Sequence, residues 1–217
     1  MGKRYSKDYS DGELRKRADE FESVATIPVN MEIKADHRVL DLREVEEYLK
    51  KAKRICLQDC GCRVDKGNCN APRDVCISID PSDDYFIKNA QYRPREVTFR
   101  DALDALRRSH EAGLVHMAYT MKGDKHASVI CSCCPCCCHT LGGLLRFGIA
   151  SKVLTSKFLA EEDFEKCLSC GRCVDRCVFG ARTIKDGKLV FDSSRCFGCG
   201  LCISTCPANA ITLKHRT

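Results

Sequence analysis

Several common signatures are missing from this chain of 217 residues. No uninterrupted apolar run approaches the roughly 18 residues a membrane-spanning helix needs, so insertion into a bilayer is not expected. There is no glycine-rich phosphate loop or dinucleotide fingerprint, so hydride transfer or ATP-driven chemistry would need a partner protein. The opening Met1-Gly-Lys-Arg-Tyr runs on into charged residues without an apolar stretch, and no secretory signal is read there. A long basic block is absent too. The formal charge is +6 at pH 7, but lysine and arginine are interleaved with aspartate and glutamate, so they read as a solvated surface and no nucleic-acid partner is expected.

Cysteine, by contrast, is abundant, with 19 copies. A disulfide scaffold would explain such a load in a secreted chain. Here the count is odd, several cysteines are adjacent and no secretory signal is read, so the expected setting is the reducing cytoplasm, in an anaerobic cell.

Eight of these cysteines form a repeat: Cys167, Cys170, Cys173 and Cys177, then Cys196, Cys199, Cys202 and Cys206, each of the first set 29 residues before its counterpart. Gly171 and Gly200, Ala181 and Ala210, and Ile184 and Leu213 obey the same offset, which marks an internal duplication. In C-x2-C-x2-C-x3-C, three cysteines at steps of three turn their sulfurs around one iron–sulfur cube, while the fourth starts a short helix and reaches the other cube. One cluster is thus expected on Cys167, Cys170, Cys173 and Cys206, the other on Cys196, Cys199, Cys202 and Cys177. Each cubane with four thiolates carries about −2, so two would bring the charge of +6 to about +2 and four to about −2. Residues 158–215 resemble the bacterial two-cluster (2 × 4Fe–4S) ferredoxin domain, with one departure: Pro207 follows the second set, but Val178 stands in the equivalent place after the first. A pair of zinc knuckles is the alternative, although zinc usually joins two C-x2-C units per metal.

Two further cysteine groups precede the repeat. Cys60, Cys62, Cys69 and Cys76 lie in a segment rich in turn residues, Gly61, Gly67 and Asn70. Cys56 reads as a small buried hydrophobe. Residues 131–138 then place Cys131, Cys133, Cys134, Cys136, Cys137 and Cys138 in eight positions. Sorted by spacing, Cys131, Cys134 and Cys137 form one three-ligand step, while Cys133 and Cys136, with Cys138 beside them, form another. Each set would be completed by thiols from the Cys60–Cys76 segment, giving one or two further iron–sulfur clusters, or zinc. His139 is expected to hydrogen-bond near a sulfur and His116 to be structural. Arg172, where the second repeat has Leu201, would raise the potential of the first cluster if it points inward.

Elsewhere, residues 1–9 read as a disordered leader, followed by a helix from Ser10 or Asp11 to about Ser23. An extended piece from Met31 to Val39 precedes a helix capped by Asp41 with Leu42, Val45, Leu49 and Ala52 on one stripe. Thr98 caps a third helix, with Asp101 completing a capping box. Strands are expected at 114–119 and 127–131, and an apolar helix at 141–149 behind the cysteine run.

The fold class expected is α/β of the α+β kind. Residues 1–30 form a leader and helix, 31–150 a cysteine-rich mixed N-terminal module, and 158–217 a two-cluster ferredoxin-like domain. The chain also resembles a class of anaerobe "4Fe–4S binding" proteins, on Cys60-Gly-Cys-Arg63, Glu111-Ala-Gly-Leu-Val-His116, the cysteine run and the ferredoxin tail. That resemblance implies iron–sulfur binding. The function expected is single-electron relay between the clusters and a redox protein partner. Two other readings stay open: a reductase whose Cys131–Cys138 site acts on a disulfide- or corrinoid-type substrate, and a zinc-stabilised docking module fused to a ferredoxin.

Overall fold

The structure, a computed structural model, describes residues 5–26, 30–34, 37–41, 49–122, 127–149 and 153–216. It is a mixed α+β chain that divides into two compact units, one of residues 1–25 and 44–154, the other of residues 26–43 and 155–217. Among the described residues, no helix is long and apolar enough to cross a membrane.

The first unit is built on a seven-stranded sheet of order β6-β4-β5-β8-β7-β1-β9. Its strands are β1 (Phe21–Thr26), β4 (Ile55–Asp59), β5 (Asp74–Ile79), β6 (Arg95–Glu96), β7 (Val115–Met121), β8 (Val129–Cys133) and β9 (Val153–Leu154). The centre is antiparallel: Ile77 faces Ile130 across β5 and β8, and Met117 faces Cys131 across β7 and β8. Val75, Ile77, Val115, Met117 and Ile130 are fully buried there, as β-branched and apolar residues should be in central strands. Helix α4 (Phe99–Glu111) covers one face with Ala102, Ala105 and Leu106. It starts at Thr98, whose hydroxyl accepts from the Asp101 amide while the Asp101 carboxylate accepts from the Thr98 amide, the reciprocal cap expected from the sequence.

Two expectations at the N-terminus are corrected. Helix α1 ends at Ala18 (Asp11–Ala18), and Phe21 begins a strand, because Phe21 and Val24 bury against the sheet instead of continuing a helical stripe. Residues 5–9 are not a loose leader. Asp8 accepts from Arg146 through both guanidinium nitrogens at 2.7 and 2.8 Å, Lys66 lies 3.7 Å over the Tyr9 ring, and Asn68 donates to Lys7 O and to Cys136 O. These partners are 57 or more residues away in sequence, beyond the reach of local patterning. Of the helix expected after Asp41, residues 42–48 lie outside the described residues, and 49–51 are helical.

In the second unit, β10 (Phe158–Glu162) pairs antiparallel with β13 (Ile211–His215), and β11 (Arg182–Lys185) with β12 (Lys188–Phe191). The latter hairpin turns through Asp186 and Gly187, both at positive φ (49° and 73°), as a tight hairpin turn requires. The backbone of β2 (Asn30–Lys34) and β3 (His37–Asp41) forms a third antiparallel pair, itself a hairpin. Ala160, Cys173, Leu189, Cys202 and Ile211 form the small core.

Candidate metal centres

Two cavities in the second unit are walled by cysteines. One is lined by Cys167, Cys170, Cys173 and Cys206, the other by Cys177, Cys196, Cys199 and Cys202. The crossing arises because α6 (Arg172–Arg176), started by Gly171 at φ 78°, carries the chain from Cys173 to Cys177 and away from the first cavity. Gly200 holds the same left-handed conformation (φ 74°) at the equivalent place in the second repeat. Backbone amides point at the sulfurs: Ala181 N–H to Cys177, Gly198 N–H to Cys196 and Ala210 N–H to Cys206, at 3.4, 3.4 and 3.2 Å. Donors of this kind stabilise thiolates and tune a bound cluster. Burial pushes the thiol of Cys202 up to about 12, so a metal-free thiol there stays protonated. Four convergent sulfurs with amide donors, in each of two cavities, fit a four-iron cluster.

The buried cation beside these cavities is not Arg172, which is exposed, but Arg182. Its guanidinium pairs with Glu162 and acts electrostatically on Cys173 and Cys202, one cysteine from each cavity. Burial works against its charge, yet Cys202, Glu162 and Cys173 outweigh that and hold it more firmly protonated than usual. The signal for it lay in the repeat itself, since the 29-residue offset sets Arg182 against Ile211, an apolar position turned cationic.

In the first unit the structure groups the cysteines differently from their spacing. Cys131 and Cys133 lie on one face of β8, two residues apart, and Cys138, the N-cap of α5 (His139–Phe147), returns to that side. Cys134, Cys136 and Cys137 occupy the intervening turn and gather with Cys69. The strand's period of two overrides the three-residue step of a loop. Helix α5 seats tightly behind the turn: a Cβ on Gly142 would meet Pro135 O at 2.8 Å.

The compact set is Cys69, Cys134, Cys136 and Cys137, whose sulfurs all lie within 4.8 Å of one another. Cys69 is 3.8 Å from Cys134 and 3.9 Å from Cys137, and Cys136 is 3.9 Å from Cys137. A tetrahedral ion with metal–sulfur bonds of about 2.3 Å sets its ligands about 3.8 Å apart. Hydrogen bonding from Cys136 holds Cys134 at about 5, well below an ordinary thiol.

The wider set is Cys60, Cys62, Cys76, Cys131, Cys133 and Cys138. All six line one cavity of about 290 Å³. Their side chains interact in a closed ring, in the order Cys60, Cys62, Cys138, Cys133, Cys131, Cys76 and back to Cys60. Around it they alternate: hydrogen bonds received lower Cys62, Cys76 and Cys133, the last to about 5, and those donated raise Cys60, Cys131 and Cys138. Further contacts come from two residues that also line the cavity: His139 Nδ1 is 3.2 Å from Cys62 Sγ, and the Tyr119 hydroxyl is 3.6 Å from Cys133 and 3.8 Å from Cys138. His139 is stacked on Phe21 at 5.7 Å, which fixes its ring plane. Cys56, fully buried on β4, stands apart from this wall, and His116 is a buried structural residue bonded to Ser132 Oγ.

Between the two sets sits Arg63, 1% exposed. It donates to Ser132 O at 2.8 Å, contacts Cys134 Sγ at 3.8 Å and acts electrostatically on Cys60 and Cys76. Its Nε and Nη2 are buried without a hydrogen-bond acceptor among the described residues.

No curated protein matches the chain. Residues 166–210, which carry the cysteines of both cavities, match the family of the 4Fe-4S dicluster domain, and this segment is a 4Fe–4S domain of ferredoxin type.

Proposed function

We propose that the chain relays single electrons between a redox protein partner and metal centres in its first unit, through two [4Fe–4S] clusters in the second. One cluster would be held by Cys167, Cys170, Cys173 and Cys206, the other by Cys196, Cys199, Cys202 and Cys177. The observation that carries this reading is the pair of four-cysteine cavities with amide donors on their sulfurs. The clusters supply one-electron chemistry; the polypeptide sets their spacing and potential and excludes water. Leu189, Leu201 and Ile211 do the last of these from buried positions. In the first unit, Cys69, Cys134, Cys136 and Cys137 would hold a single tetrahedral thiophilic ion. The cytoplasm of an anaerobe is the proposed setting.

The test is anaerobic purification of the full chain, metal and acid-labile sulfide analysis, and stopped-flow reoxidation of the reduced protein by oxidised ferredoxins or flavodoxins. About eight irons assigned by EPR to the second unit, with reoxidation in one-electron steps, is the expected result. Zinc in place of iron in the second unit would end the reading. A reductase reading has one observation of its own: exposed Arg17, Glu20 and Asp65 also line the six-cysteine cavity, leaving it open to a small molecule. A disulfide- or corrinoid-dependent change in the reduced chain's spectrum, absent without Cys62 or Cys133, would favour that reading.

A further inference from the structure

The six sulfurs of the wider ring exceed what one cubane can use. A cubane presents four iron corners, each taking one thiolate, so two of six would be bystanders. The cavity sets no such pair apart: all six cysteines line it. Two separate cubanes would need about eight thiolates, and the nearest further cysteines already close on one another within 4.8 Å. A thiolate-bridged pair of zinc ions also takes six cysteines, but its bridging sulfurs pack into the centre. Here the six cysteines, together with other residues, line the wall of a cavity of about 290 Å³. Room in the middle calls for inorganic atoms in the middle.

Two groups show that the surroundings are built for an anionic core. Arg63 is a buried cation beside Cys60 and Cys76 whose Nε and Nη2 lack acceptors among the described residues, and its charge offsets negative charge gathered on those thiols. The Tyr119 hydroxyl, His139 Nδ1 and the Leu141 amide stand beside Cys133, Cys62 and Cys138, where N–H and O–H groups serve thiolate ligands.

We propose that Cys60, Cys62, Cys76, Cys131, Cys133 and Cys138 together hold one iron–sulfur cluster larger than a cubane. This deepens the reading that the first unit is metallated and rests on it. Arg63 then acts as a positioning residue, offsetting charge between this cluster and the four-cysteine ion.

Native mass spectrometry of the anaerobically reconstituted full chain weighs the inorganic core directly, and Mössbauer spectroscopy resolves its irons. The expected result is more than about four irons, with sulfide, beyond the tail's eight and any single ion. Each of six single Cys→Ser variants should alter the same Mössbauer component. Arg63→Lys should keep the charge yet shift that component, since one ammonium cannot replace the guanidinium's fork. A core of four irons with two silent variants would overturn the proposal in favour of a cubane, leaving the metallated reading intact. Two zinc ions without sulfide would overturn it as well. Iron confined to the tail, with no metal elsewhere, would sink both. Should a variant fail to fold, the wild-type mass still decides.

Discussion

Replacing Arg182 by isoleucine, the residue at the equivalent place in the second repeat, tests how the ferredoxin-type unit sets its potentials. The guanidinium is 1% exposed and paired to Glu162, itself 3% exposed, while acting on Cys173 and Cys202. Two unit charges about 4 Å apart interact by about 4 kcal/mol at an effective dielectric of about 20. At about 59 mV per tenfold for one electron, that is a ceiling of about 170 mV. Glu162 cancels part of this, so Arg182→Ile should lower both potentials by tens of millivolts, and Glu162→Gln should raise them. The double variant should return near the starting values. Stability follows a different rule. Losing one partner of a buried pair costs about 3–5 kcal/mol, whereas losing both is close to neutral. EPR-monitored redox titration of the full chain, with circular dichroism as a folding check, reads both. A folded Arg182→Ile protein with unmoved potentials would refute the electrostatic argument.

Asp8→Ala strands Arg146 in a pocket where it is 7% exposed, and should destabilise the first unit by about 3–5 kcal/mol in urea titrations. The hydrogen bond from Arg146 holds the Asp8 carboxyl at about 2, so the pair's contribution is full above about pH 4 and fades as pH falls towards 2; Asp8→Asn should flatten that acid limb. His116 is held down to about 3, first by burial and then by His110. Its neutral form stabilises fully above about pH 6.5 and loses up to about 5 kcal/mol as pH falls towards 3, so metal-free His116→Gln should lose less stability between pH 7 and 5 than the parent. Gly198→Ala puts a Cβ 2.1 Å from Phe158 O at φ 70°. The left-handed backbone alone costs about 1–2 kcal/mol, and the backbone clash adds to it. One of two reduced-cluster EPR signals should weaken; two full signals would show that the loop yields.

The two four-cysteine groups of the repeat were legible because their cysteines come from one short, duplicated loop, where spacing carries geometry. Thr98 with Asp101, and the two strands at 115–121 and 129–133, were legible for the same local reason. Residues 131–138 were harder. Their spacing admits a three-step loop or a strand followed by a turn, and only the pairing of β8 with β5 and β7 selects the second. Arg182 lies between the matching pairs Ala181/Ala210 and Ile184/Leu213, and only its burial separates it from an ordinary exposed charged residue such as Arg172 beside its cysteine. The Asp8–Arg146 pair spans 138 residues and has no local signature at all.

That span also has a meaning in time. At roughly 5–20 residues per second, Asp8 is synthesised on the order of 10 s before Arg146. Cys60, Cys62, Cys69 and Cys76 are made within that interval, and so is the whole 131–138 run. The segment that Asn68 ties to Cys136 cannot be fastened until helix α5 exists. Nascent thiols therefore remain accessible until synthesis passes residue 146, and closure of the N-terminal segment follows completion of both of the first unit's cysteine groups.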